Sequence, residues 1–411
     1  PWYWVALLFC ASMFGIGLFS WGYQIFTGMG VAGINNPVGW GVYITDFVFW
    51  VGIAHSGTLI SAVLFLFRAK FRNAFNRSAE AMTVFAVMTA GLFPLIHLGR
   101  VWNFFWLFPY PNQRMLWVNF KSPLIWDVFA VSTYFTISAI FWYIGMVPDL
   151  AIIRRRASGL RKRIYSIFAL GWTGSFRQWR HYNKLYLFLA AFATPLVISV
   201  HSVVSWDFAM SIIPGWHTTI FAPYFVAGAI FSGTAMVITL VVPMRKIFRL
   251  EPYITVDHFE KITKVLLFTS LIVTYSYIIE YALAFYGGHK FEEAHFLYRA
   301  FGDYKFLYYI MVFCNSLLPF TLFVKGLRRS IPYLFIVSLF VNVGMWLERF
   351  VIIVSSLSKD FDPYAWGLYK PSIVEIGITL GSFGMFFTFF LIFTKVLPVL
   401  SITEIKEEAA E

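Results

Sequence analysis

Charge is what this sequence has least of. Asp, Glu, Lys and Arg make up 13% of its 411 residues, while 59% are hydrophobic; a soluble domain carries about 25% charged residues. That scarcity excludes an ordinary soluble enzyme. Cysteine is nearly absent as well. Cys10 and Cys314 both fall inside apolar runs and read as small buried hydrophobes. Two thiols are too few for an iron–sulfur cluster, and no C-x-x-C-H stretch offers covalent haem attachment. Gly and Pro are ordinary in number, and no long low-complexity tract interrupts the chain. The first apolar window, "YWVALLFCASMFGIGLFSWGY", lacks a basic leader and an A-x-A cleavage site, so it reads as a spanning helix rather than a signal peptide.

What the chain has in place of charge is hydrocarbon in long runs. Ten windows are long and apolar enough to cross a bilayer, approximately 2–24, 41–67, 80–106, 122–147, 184–208, 217–242, 262–286, 304–325, 331–356 and 372–397. The expected class is an all-α integral membrane protein. The loops after the second, fourth, sixth and eighth windows hold 4, 9, 4 and 3 Lys/Arg, a total of 20, against 6 in the opposite loops. Basic loops stay in the cytoplasm, which puts both termini inside. The formal charge of +12 is then explained by topology and anionic lipid, with no call for nucleic acid.

An internal echo suggests duplication. "AHSGTLISAVL" at 54–64 resembles "IFSGTAMVITL" at 230–240, and "LFSWGYQI" at 18–25 resembles "VVSWDFAM" at 203–210. The shared Ser-Gly-Thr supplies small residues for close helix packing. The spacing predicts two tandem four-helix bundles plus two extra helices. The division is 1–150 for the first bundle, 151–183 for a basic cytoplasmic loop, 184–326 for the second bundle, and 327–411 for two additional helices and a tail.

Ionisable residues inside such windows are costly, roughly 2.5–3.5 kcal/mol at a helix centre on insertion scales, so their positions carry information. "FPLIHLGR" at 93–100 sets His97 and Arg100 one turn apart near the outer end of the third window, and "SPLIWD" sets Asp127 near the outer start of the fourth. His201 and Asp207 lie toward the same side in the fifth, and Asp46 and His55 in the second. Taken singly, each has a plain role: a hydrogen-bonded histidine, a snorkelling arginine, a helix cap. Together they form a layer with an imidazole, a carboxylate and a fixed cation, surrounded by Trp102, Phe104, Phe105, Trp106, Trp126 and Tyr134. A quinol suits that layer. Its flat ring stacks on aromatics, and its oxidation releases two protons to general bases. His97 and Asp127 are the expected proton acceptors. Arg100, Trp126, Tyr134, Asp207 and His201 are the expected quinol-binding groups. Asp46, His55, Glu280 and Glu348 are candidates for a proton path. His217, His258, His289 and His295 read as ordinary loop or helix-end residues. The embedded histidines do not form paired columns for haem, so no metal or haem is expected in this chain and the electron carrier is expected in a partner on the outer face.

At this point the residues resemble a known family. "FWVGIAHSGTLISAVLFLFR", "FPLIHLGRVW" and "FPYPNQRMLWVNFKSPLIWDVFAVSTYF" resemble the NrfD-like membrane subunits of the polysulfide reductase family, with closest likeness to the ActC type of bacterial alternative complex III. The resemblance implies oxidation of menaquinol or ubiquinol near the periplasmic face of the bacterial inner membrane. It also implies electron transfer to an iron–sulfur subunit and on to c-type cytochrome subunits, beside a paralogous ActF-like membrane subunit. The family's quinol-site His and Asp fall on His97 and Asp127, and Asp207 is a further match. Proton translocation is suspected for such subunits. ActC-type chains usually carry a cytoplasmic stretch ahead of the first helix; this sequence begins at Pro1. Two other classes remain open: an ActF-like anchor without its own quinol site, and a secondary transporter, which would need a midplane site on broken helices.

Overall fold

The computed structural model describes residues 2–109 and 119–410, with side chains through 406. Arg114 and Trp117 lie outside the described residues. Every regular element among those described is helical. Ten helices are long and apolar enough to span a membrane: α1 Trp2–Thr27, α2 Val42–Leu66, α3 Asn76–Leu98, α4 Pro123–Ile153, α6 Phe176–Ala209, α7 Phe221–Ile247, α8 Val256–Gly287, α10 Lys305–Phe323, α11 Ile331–Ser358 and α12 Ile373–Val396. Shorter helices outside the spans include α5 Gly159–Phe168, α9 Lys290–Phe301 and α13 Ile402–Ala410. The chain is therefore a multi-pass membrane protein.

Packing groups α2, α3, α4 and α6 into one closed ring and α7, α8, α10 and α11 into a second. The expected grouping by windows one to four and five to eight needs correction. The two helices outside the rings are the first and the last, not the last two. They pair because their backbones can touch. A Cβ on Gly17 would strike the backbone of Gly381, and one on Gly384 would strike Phe14 N, the small-residue packing that replaces a hydrophobic driving force in lipid.

The Ser-Gly-Thr echo is where the two rings meet. Ser56 Oγ lies 2.8 Å from Thr234 Oγ1, and a Cβ on Gly233 would collide with Ser56 and with Ile53 O. Just past it, α2 opens into a π-turn at Leu59–Val63, and similar turns interrupt α10 at Phe313–Leu317 and α11 at Val351–Ser355. Each shifts the side-chain register within an otherwise regular span.

α3 stops eight residues before its expected end. Pro94 lies inside its last turn, and Gly99 takes φ +76°, a conformation a side chain resists. The chain continues as a 3-10 turn, Val101–Leu107. His97 and Arg100 therefore do not share a helix face, and His97 sits at the helix end rather than a turn or more inside it. α4 begins at Pro123 with Ser122 in the N-cap position, although the Ser122 side chain makes no cap bond.

At the end carrying the basic loops, a buried ion network closes the first ring. Arg77 bonds Glu80 at 2.9 Å and Asp149 at 3.0 Å, with all three side chains no more than 3% exposed. The tail folds back onto it: Thr403 Oγ1 donates to Asp149 at 2.8 Å, and Glu404 pairs with Arg72 at 2.7 Å.

Candidate functional site

At the opposite end the last turn of α3, the start of α4 and the last turn of α6 surround a cavity of about 500 Å³. Its walls are largely apolar, including Ile44, Phe47, Pro94, Leu124 and Val131, and Phe104 and Leu107 from the 3-10 turn close one side. Trp40, stacked on Trp216 at 5.7 Å and edge-on to Phe208 at 6.0 Å, gives a rigid flank. The few polar groups are His97, Asp127, Asp207 and Ser132. Such a composition, hydrocarbon with a few converging polar groups, is that of a small-molecule site, and the volume falls within the usual range of about 300–1,000 Å³.

Asp127 and Asp207 come from different helices, yet their carboxyl groups face each other within hydrogen-bonding range. A hydrogen bond between two carboxyl groups needs at least one of them protonated. Asp127 Oδ1, Asp207 Oδ1 and His97 Nδ1 are buried without a hydrogen-bond partner among the described residues. His97 meets the edge of Tyr43 at 6.4 Å. Tyr43 in turn donates to Gln24, whose amide donates to Ile96 O at 3.0 Å. That brace ties the end of α3 to α1 and α2.

The structure thus brings together His97, Asp127 and Asp207 and leaves the other expected quinol-binding residues outside the cavity. Arg100 is exposed on the link after α3 and does not line it. Trp126 points to the loop, its Nε1 donating to Phe120 O at 2.6 Å. Tyr134 lies two turns deeper, bonded to Thr58 at 2.7 Å and Ala54 O at 2.9 Å. There it stacks on His55 at 4.8 Å, and His55 packs against His201 at 4.7 Å. Both imidazoles are essentially fully buried, and His55 Nε2 and both His201 nitrogens lack partners among the described residues. His201 therefore belongs with His55 in a second polar cluster between the rings.

The remaining acids are occupied. Asp46 accepts from Trp346 Nε1 at 2.7 Å and Thr379 at 2.6 Å. Glu348 pairs with Arg349 and accepts from Tyr277. Glu280 pairs with Arg299 at 3.5 Å. His295 is not an ordinary loop residue. It is 3% exposed, with Nε2 3.2 Å from both Arg299 Nη2 and Ser356 Oγ. Burial, aided by the Arg299 cation, pushes it well below the usual histidine pKa. The spacing of His295 and Arg299, four apart on α9, was the available signal. Trp40 and Ser132 carried none, because their role depends on helices distant in sequence. Among the described residues, no three His, Cys, Asp or Glu side chains converge as metal ligands.

The chain is thus a helical membrane protein with a largely apolar cavity at one end of its first ring, into which two carboxyl groups and an imidazole converge. Comparison with known proteins agrees on the class. Residues 30–358 match the family described as "Polysulphide reductase, NrfD", and the chain belongs to that family. It is 28% identical over 241 residues to a putative dimethyl sulfoxide reductase membrane subunit of Halobacterium salinarum, a match covering 58% of this chain and 50% of that one. It is 24% identical over 139 residues to an Hdr-like menaquinol oxidoreductase integral membrane subunit of Archaeoglobus fulgidus, covering 34% and 33%. It is 22% identical over 406 residues to a selenate reductase subunit of Mesobacillus selenatarsenatis, covering 93% and 91%. The matched stretches thus span half or less of the first two relatives.

Proposed function

We propose that this chain is the quinol-oxidising membrane subunit of a respiratory oxidoreductase complex, with its quinol site in the His97–Asp127–Asp207 cavity. The observation that carries the reading is the proton capacity of that cavity. A quinol gives up two protons and two electrons on becoming a quinone. The carboxyl pair, holding one proton between two acids, takes one more; neutral His97 takes the other through its free Nδ1. The apolar walls receive the ring and the start of an isoprenoid tail, and exclude water that would scatter the protons.

The electrons need a carrier, which we assign to an iron–sulfur partner docked over the cavity end, with c-type cytochromes beyond it and a paralogous ActF-like membrane subunit alongside. The relatives named as subunits of reductases and of a menaquinol oxidoreductase support this class, and menaquinol or ubiquinol is the proposed substrate. The ActC-type assignment, the bacterial inner membrane, the cytoplasmic termini and the periplasmic position of the cavity follow from the sequence resemblance and from the charge asymmetry of the loops. Coupling to proton translocation would start from the buried His55–His201 cluster, the group nearest in kind to a relay inward from Asp127.

The test is quinol-dependent reduction of the assembled complex. His97→Ala and Asp127→Asn should each slow it by about 10²–10⁴-fold, the usual worth of a general base, while the subunits still co-purify. Near-normal turnover in both variants would remove the cavity from the chemistry.

A further inference from the structure

The end carrying the basic loops holds a second feature, in which charge, hydrocarbon and shape coincide. Residues 154–184, from the end of α4 into the first turns of α6, contain nine Lys/Arg and no Asp or Glu. Within them α5 is amphipathic. Leu160, Ile164, Ile167 and Phe168 share one face and are 73, 41, 71 and 51% exposed, while Arg161, Lys162 and Arg163 are exposed beside them. Tyr165 pins the helix to the body by donating to Val396 O at 2.7 Å. A short helix of this composition lies in the headgroup plane with its apolar face in the acyl region.

Beside α5, the seam between α4 and α6 opens as a cleft of about 330 Å³, lined by Ile144, Val147, Trp172 and Leu185 and also by Arg177 and His181. Arg177 and His181 are shared with an adjoining recess of about 310 Å³ that Arg180 and Lys184 complete. No carboxylate lines either one. The wall is built rather than loose. Arg154 Nη2 donates to Trp172 O at 2.6 Å, Trp172 meets Trp179 edge-on at 5.0 Å, and a Ser175–Gln178 capping box fixes the first turn of α6. The site therefore presents three exposed cations, Arg177, Arg180 and Lys184, next to an apolar slot.

We propose that this cleft binds an anionic phospholipid. Its phosphate sits among Arg177, Arg180 and Lys184, and one acyl chain enters the seam along Ile144, Val147 and Leu185. Each half of the site argues for the same occupant. A free anion would satisfy the cations and leave the hydrocarbon slot unfilled; a zwitterionic lipid would fill the slot and leave the charge uncompensated. The exposed face of α5 continues the slot into the surrounding bilayer. The site is independent of the cavity at the other end, so it stands whether or not that cavity takes a quinol.

The test uses the full chain in detergent, titrated with phosphatidylglycerol, phosphatidylcholine or inorganic phosphate and followed by native mass spectrometry and thermal midpoint. Phosphatidylglycerol should bind at one saturable site per chain, at least about tenfold more tightly than phosphatidylcholine. Arg177→Gln/Arg180→Gln/Lys184→Gln should weaken it by about 100-fold, at roughly fivefold per cation near a membrane surface. Lys246→Gln/Arg249→Gln/Lys261→Gln removes the same charge from another loop at the same end and should change binding less than about threefold. Leu185→Trp fills the slot without touching charge and should weaken binding about tenfold; it decides the matter alone if the triple variant fails to fold. Equal losses in the two triple variants would mean a diffuse charge effect and overturn the proposal. So would unchanged binding in Leu185→Trp, or inorganic phosphate binding as tightly as the lipid.

Discussion

The carboxyl pair gives the sharpest expectation. Asp127 belongs to α4, which also supplies Leu124, Val128, Val131 and Ser132 to the cavity wall, whereas Asp207 is the one α6 residue lining it. On the proposed function, Asp127 is the base placed against the substrate, and Asp207 acts through it by holding the shared proton. Asp207→Asn keeps a donor in that place. The new amide donates to Asp127, which stays ionised and able to take one proton, so turnover should fall by less than about tenfold, or about 1.4 kcal/mol. Asp127→Asn removes the base itself and should cost about 10²–10⁴ in rate, which is about 2.7–5.4 kcal/mol. Because Asp207 works through Asp127, the double variant should be no slower than Asp127→Asn by more than about threefold; residues that act as a unit are strongly non-additive. Steady-state quinol oxidation by the assembled complex measures all three. Effects that multiply in the double variant, or an Asp207→Asn loss as deep as that of Asp127→Asn, would refute the shared-proton reasoning.

Three further outcomes concern the fold. Gly233→Ala should destabilise the protein by about 1–3 kcal/mol through overpacking against Ser56 and Ile53 O. Gly15→Ala, whose Cβ meets nothing within 4 Å, should not lower the thermal midpoint, and a matching fall in both would deny the close α2–α7 crossing. Arg77→Met leaves Glu80 and Asp149 buried without their cation, an expected loss of about 3–5 kcal/mol visible in denaturant unfolding. His295 gives a pH dependence of known sign. Its folded pKa is depressed, so below about pH 6.5 the unfolded chain takes a proton that the folded one refuses. Its contribution is complete above that pH and declines by up to about 1.4 kcal/mol per unit below it. Unfolding midpoints of wild type and His295→Gln should converge as pH falls from 7.5 to 5.5; a constant gap would show that His295 is not held neutral.

The class, the number of spans and three residues of the cavity, His97, Asp127 and Asp207, were legible in the sequence. Hydrocarbon runs report the bilayer directly, since a spanning helix must be apolar along its length, and a charged residue within such a run is rare enough to single out His97 and Asp127. The Ser-Gly-Thr string repeated at helical depth was legible as well. Which helices share a ring, and which side chains share a space, came from packing in three dimensions. Runs of Phe, Leu and Val look alike on every face, so periodicity did not reveal that α1 pairs with α12, or that α2 and α7 cross at the repeat. The end of α3 turned on one backbone angle at Gly99, and with it Arg100 left the cavity. The facing of Asp127 and Asp207 likewise depends on how α4 rotates against α6. That rotation is fixed by side-chain packing across the whole interface, which no local stretch of sequence encodes.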